Sequence, residues 1–172
     1  MLKVIGSLLI IFSSVFLGFY LAANYIQRTK QLRQLSFLLA ILKTEITYGL
    51  RSLTDIFEIL AKKEKGIIYD LFLNCGLSLR KNKGISTYEC LRQVLDEIWP
   101  KTSLKDAEKQ ILQNLFKVLG TSDVTNQIYH LDLAIASLQD EFEKAYLEQK
   151  QYEKMYRTLG FLGGLLLVIL IF

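Results

Sequence analysis

Gln151-Tyr-Glu-Lys-Met-Tyr-Arg-Thr-Leu-Gly-Phe-Leu-Gly-Gly-Leu-Leu-Leu-Val-Ile-Leu-Ile-Phe172 decides what the rest of the chain can be. Charged and aromatic residues crowd its first seven positions, and the fifteen from Thr158 to Phe172 carry no charge. A run this apolar is not solvated by water and belongs in lipid or in a very large core. A second run, Val4 to Ala23, is twenty residues without a charge. The pattern predicts a polar middle held to a membrane at both ends: a transmembrane helix over 4–27, a cytosolic helical bundle over 28–157 and a second transmembrane helix over 158–172.

Charge supports this division. The 172-residue chain has a formal charge of +4, and all seventeen acids lie between Glu45 and Glu153. Twenty of the twenty-one basic residues lie between Arg28 and Arg157, so the middle carries +3 and is long enough for a core of its own. Lys3 followed by an apolar run and Ala22-Ala23 has some features of a cleaved signal. The run is about twice the length of a signal's apolar core, so it is expected to stay as an anchor. Arg28, Lys30 and Arg33 follow the first run, and Lys150, Lys154 and Arg157 precede the second. Lysine and arginine resist translocation, which predicts a cytosolic middle with both termini on the opposite side. The second run rises only about 22 Å as a helix, so Met155, Tyr156 and a snorkelling Arg157 are expected to extend it. The same basic residues, with Lys62, Lys63, Lys65 and Lys101, are candidates for contact with anionic head groups.

The middle reads as helices throughout. Leu32, Leu35, Leu38, Leu39, Leu42 and Ile46 continue the first helix to Gly49. Ser52 offers a cap for a second helix that ends at Lys62–Gly66, and a third spans Ile67–Arg80. Ser86-Thr87-Tyr88-Glu89 is a capping box, with Ile85 placed as a hydrophobic staple, and the helix it opens stops before Pro100. A fifth helix starts at Ser103–Asp106 and ends at Gly120. From Ile128 to Leu159 apolar residues alternate at three and four, which predicts one helix from Asp123 through Arg157 into the bilayer. The fold class is therefore all-α: an antiparallel bundle of about six helices flanked by an N-terminal and a C-terminal transmembrane helix. Returning to the membrane needs an even number of passes, which puts the turns at 49–52, 81–85 and 120–122 at the far end.

No metal-ligand cluster, phosphate loop or nucleophile elbow is present, and Cys75 and Cys90 sit in apolar patterns as reduced packing residues. The one histidine, His130, borders the long seam. No enzymatic activity, no cofactor and no nucleic-acid binding are expected. Gly160 and Gly164 form a GxxxG pair, and Ser14, Gly18 and Ala22 share one face of the first run; small residues let helices approach closely in lipid. Packing of the two spans on each other, or on another subunit, is expected there.

Tyr152-Glu-Lys-Met with Leu159-Gly-Phe-Leu-Gly-Gly164 resembles the carboxy-terminal signature of the stage III sporulation protein AB family. Glu45-Ile-Thr-Tyr48-Gly49, Leu119-Gly120 with Asp123 and Gln127, and Met1-Leu-Lys-Val-Ile-Gly6 are similar to the family's other landmarks. The resemblance covers the whole chain. It implies a structural platform in the channel complex linking mother cell and forespore, required for endospore formation and placed in the mother-cell membrane around the forespore. Partners would be other channel proteins, including the complex's cytoplasmic ATPase. The bundle would resemble the repeated cytoplasmic domain of secretion platform proteins; those carry two such domains and this chain one, which leaves a homo-oligomer open. Glu45, Tyr48, Gly49, Gly120 and Asp123 are the candidate partner-binding residues. The alternative is a two-span membrane sensor with a helical ligand- or signal-binding bundle; it would need an external domain and a signalling domain after the second span.

Overall fold

The computed structural model describes residues 2–49, 51–82 and 85–171. Among them are six α-helices and one 3-10 turn: α1 (Leu2–Tyr48), α2 (Leu53–Ala61), α3 (Ile67–Lys81), α4 (Thr87–Ile98), the 3-10 turn Trp99–Lys101, α5 (Asp106–Phe116) and α6 (Val124–Ile171). No strand occurs among the described residues. The expected stop at Lys83-Gly84 lies outside them.

Residues 30–142 form one compact unit, and residues 1–29 with 143–172 form another. α1 and α6 each contribute to both.

The first unit is built by local capping and a shared apolar core. Ser52 accepts from the N–H of Asp55 at 3.3 Å and starts α2. Ser86 does the same for Glu89 at 3.2 Å and starts α4. Only this half of the expected box is in place, because the Glu89 carboxylate accepts from Arg92 and Gln93. Ile85 is 47% exposed, so the expected staple is not sealed. α5 has no hydroxyl at its start; the buried Glu108 carboxylate reaches back to the N–H of Lys105 at 2.5 Å.

α5 stops at Phe116, four residues before the expected Gly120. Its continuation is a tight turn in which the N–H groups of Thr121 and Ser122 share the Val118 carbonyl. Gly120 has φ +74°, a conformation that glycine adopts without the strain a Cβ brings. Pro100 lies in the 3-10 turn after α4, where a missing N–H costs little.

Leu32, Leu35, Leu38, Leu39 and Leu42 of α1 are fully buried, as are Phe57 and Leu60 of α2. Phe72, Leu91, Leu112, Phe116 and Leu138 complete the core from the remaining helices. Phe57 and Phe72 meet edge to face at 5.6 Å where α3 packs on α2. Each large side chain buried this way contributes about 1.5–3 kcal/mol. The α6 seam delivers Leu131, Leu138 and Ala145 to the interior, but Leu159 at its far end is exposed.

In the other unit the contacts pair residues early in α1 with residues late in α6. Ser14 donates to the Gly160 carbonyl at 2.6 Å, and Tyr25 stacks on Tyr152 and Tyr156 at 5.3 and 5.9 Å. Arg28 donates to Glu148 at 2.8 Å. Among the described residues one helix is long and apolar enough to cross a membrane, α1 over Leu9–Tyr48.

Candidate docking surface and membrane-proximal groups

At the end of α1 the N–H of Gly49 donates to the Glu45 carbonyl at 2.7 Å, and a Cβ on Gly49 would collide with that oxygen, so the stop accepts only glycine. Beyond that stop the chain turns, and Arg51 donates to the Glu45 carboxylate at 2.9 Å. Thr44, Glu45, Tyr48, Gly49 and Arg51 line an open groove of about 400 Å³. Tyr48 is 84% exposed. An aromatic ring held in water beside a guanidinium is the residue chemistry of interface hot spots.

Gly120 and Asp123 lie in the α5–α6 turn. The N–H of Gly120 donates to the Gln127 side chain at 3.2 Å, and Gln127 in turn donates to the Ser122 carbonyl at 2.7 Å. Asp123 accepts from the N–H of Asn126 at 3.3 Å and caps α6. A Cβ on Gly120 would lie 3.4 Å from the Thr87 side chain and 3.5 Å from that of Leu53. The turn before α6 thus abuts the first residues of α2 and α4. Leu53 is four residues after Gly49 in the chain, so the Glu45–Arg51 groove and the Gly120 turn belong to the same end of this unit. Thr44 and Arg51 line the groove and Gln127 holds the Gly120 turn; none of the three was among the candidate partner-binding residues. Arg51 had a signal, an acid six residues earlier across a helix-stopping glycine.

The small residues also come together. A Cβ on Gly18 would lie 3.1 Å from the Gly160 Cα, and one on Gly164 would lie 3.0 Å from the Ser14 Cβ. Ala22 is fully buried. Around this contact Leu9, Phe12, Phe16, Leu17, Leu162, Leu166 and Leu170 are exposed.

The basic residues divide into two groups. Arg28 is 4% exposed and pairs with Glu148 at 2.8 Å. Arg157 pairs with Glu153 at 2.9 Å and lies over the Phe19 ring at 5.0 Å. Arg33 is placed 5.8 Å from the Phe142 ring centre. Lys30, Lys62, Lys63, Lys65, Lys101, Lys150 and Lys154 are exposed. No group of three or more His, Cys, Asp or Glu is placed to hold a metal among the described residues. Cys75 and Cys90 are buried free thiols, and burial pushes the Cys75 thiol far above its ordinary range.

The family model described as "Stage III sporulation protein AB" matches residues 3–172. The chain belongs to the stage III sporulation protein AB family. Stage III sporulation protein AB of Bacillus subtilis (strain 168) is 34% identical over 171 residues, covering 99% of both chains. A solved structure of a stage III sporulation protein AB (SpoIIIAB) is similar with a TM-score of 0.69 and 30% identity. It is matched over 98% of its length and 73% of this chain. Family membership ties this chain to sporulation, and the apolar stretch of α1 is compatible with membrane association.

Proposed function

We propose that this chain is a membrane-anchored platform of the sporulation channel that links mother cell and forespore and is required for endospore formation. In this reading α1 and α6 cross the mother-cell membrane around the forespore as an antiparallel pair. Residues 30–142 face the mother-cell cytosol as an antiparallel bundle, with both termini on the opposite side. The bundle docks other channel proteins, among them the complex's cytoplasmic ATPase, and a homo-oligomer supplies the second bundle domain that secretion platforms carry in one chain.

The observation that carries the docking role is the approach of Gly120 to Thr87 and Leu53. It supports one surface made from three turns, with Tyr48 and Arg51 projecting beside it. The second span is supported by Ser14 bonded to Gly160 and by the apolar side chains exposed on both helices. Basic residues flanking both apolar runs support the orientation.

Replacing Tyr48 with a photo-crosslinking phenylalanine in sporulating cells tests the docking role. The expected result is an adduct with another channel protein, lost when Gly120 is replaced by valine. Absence of an adduct in a chain that accumulates normally in the membrane contradicts it.

A further inference from the structure

We propose that the α4–α5 turn, Trp99 to Lys105, contacts the head groups of anionic phospholipid in the membrane that holds α1. The inference rests on the reading of α1 as a membrane anchor.

Position comes first. The N–H of Ser103 donates to the Gln31 side chain at 2.8 Å, and Gln31 is almost wholly buried. This bond ties the turn to the point where the chain enters the 30–142 unit. The uncharged run of α1 ends at Gln27, four residues earlier. Four residues span at most about 14 Å even when fully extended, so residue 31 stays close to the lipid boundary whatever the unit's attitude.

Charge points the same way. From Trp99 to Lys105 the turn holds two lysines and no acid, and Lys101 is exposed, as is Lys30 beside the tether. Each basic residue at an anionic surface strengthens such a contact about fivefold. The Lys62–Lys65 turn has comparable charge but no such tether to α1 among the described residues, so it is not part of the site.

Trp99 adds a third observation. Its ring is 5% exposed, and its indole N–H is buried with no acceptor among the described residues. An apolar ring with an unsatisfied polar tip suits a lipid–water boundary.

Trp99 is the chain's single tryptophan, so its fluorescence reports on this turn alone. The full chain is reconstituted into vesicles of phosphatidylcholine, with or without phosphatidylglycerol, carrying a nitroxide on a fraction of the head groups. The expected result is strong quenching that requires phosphatidylglycerol and falls several-fold in Lys30→Glu/Lys101→Glu. The milder Lys101→Gln should give an intermediate loss, with helicity unchanged in both variants. Quenching that is absent, equal in neutral lipid, or untouched by the substitutions overturns the proposal. A chain that inserts but is not quenched defeats this inference alone, whereas one that does not insert defeats the anchor reading with it.

Discussion

Gly160 lies against Gly18 so closely that a Cβ on either glycine would come within 3.1 Å of the other's Cα. Beside them the Ser14 hydroxyl bonds the Gly160 carbonyl at 2.6 Å. In lipid, helices gain little from apolar burial, so close packing and such hydrogen bonds carry the association. Gly160→Leu should therefore separate α1 and α6 in this region, at a cost of about 1–3 kcal/mol from overpacking. Thermal unfolding in micelles should show a lowered midpoint, while Phe161→Leu, an exposed position one residue on, should leave it unchanged.

Arg28 is nearly inaccessible and donates to Glu148, whose side chain is about one-third exposed. Removing Glu148 takes away the carboxylate to which the nearly buried Arg28 donates. We expect Glu148→Leu to cost about 2–3 kcal/mol after allowance for partial exposure, and Arg28→Met/Glu148→Leu to recover part of it. Chemical denaturation of the three proteins measures this; equal stability of the single and double variants would argue against a coupled pair.

Much of the 30–142 unit was legible because its signals are local. Gly49, Ser52 and Ser86 stop or start helices through bonds to residues three or four positions away, and such spacing is visible in one dimension. Arg28 shows the opposite case. Its place beside an apolar run is visible in one dimension, but its ion-pair partner Glu148 lies 120 residues away on another helix. Likewise α5 ends four residues early, where the N–H groups of Val118 and Leu119 both turn to the Leu115 carbonyl. For the candidate docking surface, the landmark residues were readable, but their assembly through Gly120, Thr87 and Leu53 is a tertiary fact.

Burial raises the thiol pKa of Cys75, with Cys90 adding to the shift, and so favours the neutral form in the folded state. In the unfolded chain the thiol ionises near pH 8.5. The folded state therefore keeps its full stability below that pH and loses it progressively as pH rises above it. Melting midpoints should be flat from neutral pH to about 8 and decline beyond. Cys75→Ala should flatten the alkaline decline, and a thiol reagent should leave the native protein largely unlabelled until it is unfolded.

Gly120 has φ +74°, and a Cβ there would meet the Thr87 and Leu53 side chains at contact distance, 3.4 and 3.5 Å. Gly120→Val combines backbone strain with crowding of Thr87 and Leu53 by its γ-methyl groups, and we expect a loss of about 2–3 kcal/mol. The milder Gly120→Asn, which tolerates this backbone region, should lose less. Urea unfolding of both variants gives the comparison; a Gly120→Val protein as stable as the parent would remove the case for a closed junction at this end.

The docking role is tested most directly by spore yield from Tyr48→Asp/Arg51→Glu. Tyr48 is exposed and Arg51 more than half so, which makes the pair dispensable for the core. We expect normal amounts of the variant in the membrane fraction and a sharp fall in heat-resistant spores, as loss of an aromatic and arginine contact at an interface would give. Spore yield at the parental level, with the protein present and folded, would contradict it.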